Sequence, residues 1–161
     1  MLATSLAAAL LAWPAPRARA ADAAAGPRYP QGASFFQANC VVCHGQSGVG
    51  QPSLAPPLTD YPARYVTDPE GRRQLAMTLL YGMYGEVAVG QMHYNFKMPD
   101  FARFPDDALT AVLNYVVFDI AHAAPGAAPL TIAEIAVERG QPSSGDAVRR
   151  HRTALLAILG Q

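Results

Sequence analysis

The chain has two cysteines, separated by two residues and followed at once by a histidine: Cys40, Cys43 and His44 in ANCVVCHGQSG. Three familiar chemistries suit thiols so close together. A disulfide is the first, since an exported chain meets oxidising conditions, yet closing so short a loop restrains an unfolded chain very little. A thioredoxin-like redox pair is the second, but the alternating strand and helix pattern around such a pair is missing. Zinc is the third, and its fourth ligand would have to come from far away. His44 decides the matter. Cys-x-x-Cys-His sets two thiols where they can add to the two vinyl groups of one porphyrin edge, and the next residue puts an imidazole under the iron. The chemistry expected is therefore covalent attachment of one haem c through two thioethers.

A second stretch, QMHYNFKMPDF at 91–101, places Met92, His93 and Met98 among aromatic residues. A soluble loop carries such soft, oxidisable side chains when something apolar lies beneath it. Either methionine could face that apolar group.

Helices must position these residues. Gly32 to Asn39 reads as a short helix that carries Phe35 and Phe36 into the cysteine motif. Residues 45–60 are rich in Gly, Pro, Ser and Gln and read as a loop. Asp68-Pro69-Glu70 is a helix start, with an N-cap, a proline in the first turn and an early acid. The helix then runs through GRRQLAMTLLYG with Leu75, Leu79 and Leu80 on one side. Residues 83–100 form a second long loop, with a ribbon expected at most over EVAVG at 86–90. Pro105-Asp106-Asp107 opens what reads as the longest helix, where Leu109, Val112, Leu113, Val116 and Ile120 recur at helical spacing and His122 falls in the last turn. A Pro/Ala/Gly linker at 123–130 follows. Thr131 and Glu134 form a capping box for a short helix ending near Gly140. A final helix from Ser143–Asp146 aligns Val148, Arg152, Leu155 and Leu159. The fold class is all-α, with loops long enough to carry function.

The bulk properties agree. The 161 residues suffice for one domain, and twelve basic against twelve acidic side chains give no phosphate-binding surface, so no nucleic-acid partner is expected. Leu2 to Trp13 is an apolar block followed by prolines and small residues, which reads as a secretory signal cleaved after Ala20, or else as an uncleaved anchor. The block is too short to span a bilayer, so no stable membrane insertion is expected.

On these residues the chain resembles a class I c-type cytochrome of the short bacterial kind, over about residues 30–122. In that family a glycine and an aromatic precede the first cysteine where Gly32 and Phe36 stand here, and Tyr115 matches the aromatic of the crossing helix. The resemblance implies that Pro56 accepts the hydrogen bond of the ligand imidazole and that Leu58 packs on the haem face. Gly90, Tyr94-Asn95 and Met98-Pro99 match the family's sixth-ligand loop, which makes Met98 the second axial ligand beside His44. Met92 is then a hydrophobic cover and His93 a solvated loop residue, while Tyr94 and Asn95 orient the sulfur, bind a propionate or simply pack. Arg64, Arg72, Arg73 and Arg103 are all open as propionate partners. His151, among Arg149, Arg150 and Arg152, reads as part of a solvated basic face or a docking patch.

The expected organisation is a signal at 1–20, a linker at 21–29, a cytochrome c-like domain at 30–122 and a two-helix extension at 123–161 that covers either the domain or a partner. The function implied is a periplasmic carrier of single electrons between redox proteins such as a dehydrogenase, a reductase or an oxidase. Two alternatives stand beside it: the electron-accepting subunit of a periplasmic dehydrogenase, docked through the extension, and a haem-based ligand sensor.

Overall fold

The computed structural model describes residues 26–160, so the expected signal at 1–20 lies outside the described residues. Helix α1 spans Pro30–Asn39, with Pro30 at its first position, where a missing N–H costs nothing. Its start is held from a distance. The Asp119 carboxylate accepts the backbone N–H of Arg28 at 2.7 Å and of Tyr29 at 3.0 Å, so residues 28–29 are anchored rather than a loose linker. Helix α2, Val41–His44, follows after the single residue Cys40. Helix α3, Tyr61–Tyr65, is a short element missing from the sequence expectation.

Helix α4, Pro69–Tyr81, begins where expected: the Asp68 carboxylate accepts the N–H groups of Glu70 and Gly71. A hairpin of β1, Val87–Val89, and β2, Met92–Tyr94, occupies the second loop, with Val87 opposite Tyr94 and Val89 opposite Met92. The second strand was not expected; it runs through the methionine-rich stretch itself.

Helix α5, Asp106–Asn114, continues as a π-helical segment, Tyr115–Ile120. The wider turn ends with Ala121 N–H bonded to the Val116 carbonyl at 2.9 Å. Two expectations are corrected here. The regular α-helix is only nine residues long, and His122 lies past its end, exposed and with φ +52°. Helices α6, Ile132–Arg139, and α7, Gly145–Ile158, complete the fold, and α7 is the longest α-helix described.

The packing centre is the crossing of α1 with α5. A Cβ on Gly32 would sit 2.1 Å from the Ala111 carbonyl oxygen and 2.7 Å from Tyr115 Cβ, so any larger residue would push the helices apart. Beside this contact the Phe36 and Tyr115 rings lie 5.6 Å apart.

Helices α6 and α7 pack on α4 and bury Ile135, Val148 and Leu155 almost completely. Ile132 and Val137, which share the expected apolar line of α6, stay more than half exposed, because only the Ile135 side faces the core. The 123–130 connection is no free linker. Asn114, itself buried, donates to the Leu130 carbonyl at 3.0 Å and accepts its N–H at 2.8 Å. The extension thus covers the domain's own surface, and Leu130, Ile135 and Leu155 belong to the same core as α1, α4 and α5.

Candidate haem centre

Cys40 ends α1, its N–H bonded to the Phe36 carbonyl at 2.8 Å, and its own carbonyl accepts the His44 N–H at 2.9 Å. One tight turn therefore holds both cysteines and the histidine. The His44 Nδ1–H donates to the Pro56 carbonyl at 3.0 Å, which fixes the tautomer and leaves the Nε2 lone pair free. Burial lowers the His44 pKa against the opposing pull of that bond, so the ring is held in the neutral, ligating form.

The loop that presents Pro56 is fixed largely by backbone. Gly50 donates to the His44 carbonyl at 2.7 Å, and Leu58 donates to Gly48 at 2.8 Å. Gly50 has φ +79°, and a Cβ there would lie 2.6 Å from Pro57 N, so only glycine allows this approach. Gln51, which sequence reasoning passed over, donates to the carbonyls of Val42 at 2.8 Å and Cys43 at 3.0 Å, tying the loop to the cysteine turn.

Met98 comes from the opposite loop. Its backbone pairs with Met83 in an antiparallel bridge, at 2.8 and 3.1 Å. Gly82, at φ +68°, makes room for it: a Cβ there would meet the Met98 carbonyl oxygen at 2.4 Å. Phe101 then donates to the Leu79 carbonyl at 2.9 Å, so the loop is held at Met98 and again three residues later, where it meets α4.

Between the two loops lies a cavity of about 250 Å³. Cys40, Cys43, His44, Met98, Phe36, Pro56, Leu58 and Tyr94 all line it. Met92, His93 and Asn95 do not. Met92 is exposed at the start of β2 and does not line the cavity, which corrects its expected role as a cover. Strand alternation accounts for His93, which points away from the side of buried Tyr94 and pairs with Glu86 at 2.6 Å.

The four arginines considered for propionates are also corrected. Arg64 pairs with Asp60 on the surface, and Arg103 lies over the Phe101 and Phe104 rings. Arg72 and Arg73 hold the extension through Glu134 and Glu138. The cations that line the cavity are Lys97 and Arg152 instead. Nor is the basic stretch of α7 a uniformly solvated face. His151 bonds Gln74 at 2.6 Å and Glu70 at 2.9 Å, and Arg152 is buried.

These residues fit a haem. Both thiols are unpaired, an imidazole nitrogen and a thioether share one mostly apolar cavity, and the buried Tyr65 hydroxyl has no partner. They do not fit a thiol redox pair. Burial, and then the neighbouring Cys43, pushes the Cys40 thiol up to about 12, the reverse of the low value a nucleophilic cysteine needs. Among the described residues no cluster of three His, Cys, Asp or Glu side chains could hold a zinc ion.

The fold and this site define a class I c-type cytochrome. The family model for cytochrome c matches residues 30–117, and the chain belongs to that family, whose cofactor is covalently attached haem c. Two proteins named cytochrome c-552, both from Thermus thermophilus, are each 40% identical to it over 85 residues, 53% of this chain. The match covers 64% of one relative and 57% of the other, less than two thirds of either.

Proposed function

We propose that this protein carries single electrons, with Cys40 and Cys43 as the haem thioether residues and His44 and Met98 as the axial ligands. When bound, haem c supplies a one-electron iron couple at a potential raised by a thioether ligand. The chain's residues hold that couple in place: Pro56 orients the His44 ring, Gly82 and Met83 fix the Met98 backbone, and Phe36, Leu58 and Tyr94 keep water out. With His44 and Met98 both holding the iron, no site would be left open for a substrate, which supports electron exchange with protein partners as the reading. Such partners, a dehydrogenase, a reductase or an oxidase, bind transiently through small interfaces. The leader-like first twenty residues support export to the periplasm. Among the described residues no helix is long and apolar enough to cross a membrane. The extension already buries Ile135, Val148 and Leu155 against the domain itself, which favours the simple carrier over a dehydrogenase subunit docked through those residues.

One observation carries the proposal: His44 and Met98 line the same cavity as both cysteines. The test compares two methionines. Met98→Ala abolishes the weak sulfur-to-iron charge-transfer band of the oxidised protein and admits carbon monoxide to the reduced protein. It also lowers the potential by a sizeable part of the roughly 0.8 V that axial ligation spans. Met92→Ala leaves the band in place. Carbon monoxide binding by the unaltered protein at neutral pH would favour the sensor reading, and the reverse behaviour of the two variants would make Met92 the ligand.

A further inference from the structure

Helix α7 turns His151 toward α4, where both ring nitrogens meet an oxygen. Nδ1 lies 2.6 Å from Gln74 Oε1, and Nε2 lies 2.9 Å from Glu70 Oε2. Two acceptors suit a ring that carries two protons, so this is a site for imidazolium. Glu70 registers the same charge: the hydrogen bond from His151, and then Arg73, hold its carboxyl below the usual range against the opposing effect of burial.

The contact does not end at the histidine's first partner. Gln74 is 1% exposed, and its Nε2 donates to Thr78 Oγ1 at 2.8 Å. Gln74 and Thr78 both line the haem cavity, whereas His151 stands one step back from it. The His151 side chain is 19% exposed, enough to exchange a proton with water. A chain of hydrogen bonds therefore runs from a titratable ring near the surface, through one buried amide, to the cavity wall.

The amide gives this chain two self-consistent directions, because it carries an acceptor at one end and donors at the other. With His151 charged, Gln74 accepts from the ring and donates to Thr78, whose own proton is free to turn toward the cavity. A neutral ring keeps its Nε2–H on the Glu70 carboxylate, the stronger acceptor, and offers Gln74 a bare Nδ1. The amide then turns over, donates to Nδ1 and accepts from Thr78, whose lone pairs are left facing the cavity. Charge and dipole change in the same sense: the protonated relay favours the less positive cavity of the reduced protein.

We propose that His151, Gln74 and Thr78 form a relay through which this carrier takes up a proton as it takes up an electron. This rests on the haem reading above. An electron arriving from a redox partner lowers the positive charge in the cavity by one, and His151 draws its proton from solvent. Both leave again on oxidation. Histidine is the side chain that titrates between about pH 5 and 8, and His151 is the only one on α4 or α7. The charged groups facing it from α4 are Glu70 and Arg73, whose Nη1 lies 3.5 Å from the same Glu70 oxygen. On α7 itself Arg149 and Arg150 are tied to Asp146, and Arg152 donates to the Ala88 carbonyl of the hairpin. On that hairpin Glu86 is paired with His93.

The test uses holoprotein, with a pyridine haemochrome assay confirming covalent haem in each sample. Proton NMR follows the His151 ring through pH in the oxidised and in the reduced protein, with His151→Gln identifying its signal. The expected midpoint is higher in the reduced protein by about 0.3–1 pH unit, a gain of roughly two- to tenfold in proton affinity. By reciprocity the reduction potential falls as pH rises through the same window. His151→Gln removes that fall, and His93→Gln leaves it in place. Gln74→Met, which fills much the same space without hydrogen bonding, removes most of the shift. If Gln74→Met yields no holoprotein, Thr78→Val severs the last step instead and gives the same loss. An equal midpoint in both oxidation states overturns the proposal, as does a full shift that survives the cut relay. Absence of covalent haem from the unaltered protein is a different result, and fails the haem reading itself.

Discussion

The loops at 45–60 and 82–101 are fixed by backbone pairs and by glycines that let two chains touch, and between those points their side chains line a cavity. Helices α6 and α7 are held another way. Ile135, Val148 and Leu155 are buried against protein, and side chains finish the seam: Arg72 reaches Glu134 at 2.6 Å, and Arg139 reaches Asp106 at 2.8 Å and the Ala102 carbonyl at 2.6 Å. The loops therefore depend on a cofactor to complete their packing, whereas the extension is nearly complete in the polypeptide. Among the described residues only Arg152 links the two modes, being a member of the extension that lines the cavity.

The sharpest way to break this contrast is to withhold the cofactor. The double variant Cys40→Ala, Cys43→Ala should retain no haem after acid-acetone extraction. Without that apolar filling, the cavity walls should collapse or open, and cooperative unfolding should be lost. A native-like melting transition in the haem-free double variant would show that the loops hold themselves.

Truncation after Ala123 probes the other half. Four side chains that are nearly fully buried, Leu130, Ile135, Val148 and Leu155, leave the core, each worth about 1.5–3 kcal/mol, against a total stability of about 5–15 kcal/mol for a domain of this kind. The truncated chain should mature poorly and melt far below the full chain. The fraction that does mature should keep its His/Met spectrum, since both expected ligands precede residue 123. A truncated protein as stable as the full chain would make the extension an accessory.

Within the loops, Gly82→Ala should cost about 1–2 kcal/mol from the left-handed backbone alone. The clash with the Met98 carbonyl adds to that cost. Its signature is a weakened charge-transfer band and easier entry of carbon monoxide, effects that an equal loss of stability in the extension would not produce.

Legibility in the sequence follows the range of each interaction. The Asp68 cap and the Thr131–Glu134 capping box could be read because each side chain bonds a backbone group within three residues. The cysteine turn could be read because its spacing is itself the chemistry. The cavity-lining set from Phe36 to Met98 came through the family resemblance, since nothing local in Pro56 or Leu58 says what they face. Helix α3 is only five residues long, and β2 is three residues, MHY, too short for alternation to register. The π-helical turn keeps an ordinary helical pattern in sequence. What Arg152 and His151 bond could not be read, because their partners, Ala88 and Glu70, lie 64 and 81 residues away.

The mildest test concerns pH and the seam of the extension. Glu134 is lowered to about 2, first by its hydrogen bonds with Arg72 and then by the Thr131 cap, against the opposing effect of burial. In the unfolded chain the same carboxyl titrates near 4.3. The folded state therefore holds the ionised form more tightly, and the unfolded state binds the extra proton as pH falls. Stability from this group is fully present above about pH 4.3 and is lost as pH falls toward 2. The pair is partly exposed, so solvent screening keeps its worth to about 1 kcal/mol or less. Glu134→Gln, which can still close the capping box, should lower stability slightly at pH 7, and the difference from the unaltered protein should vanish as pH approaches 2. Urea unfolding at intervals across that window measures it. A gap that stays constant with pH would mean that Glu134 contributes through its shape in the cap and not through its charge on Arg72.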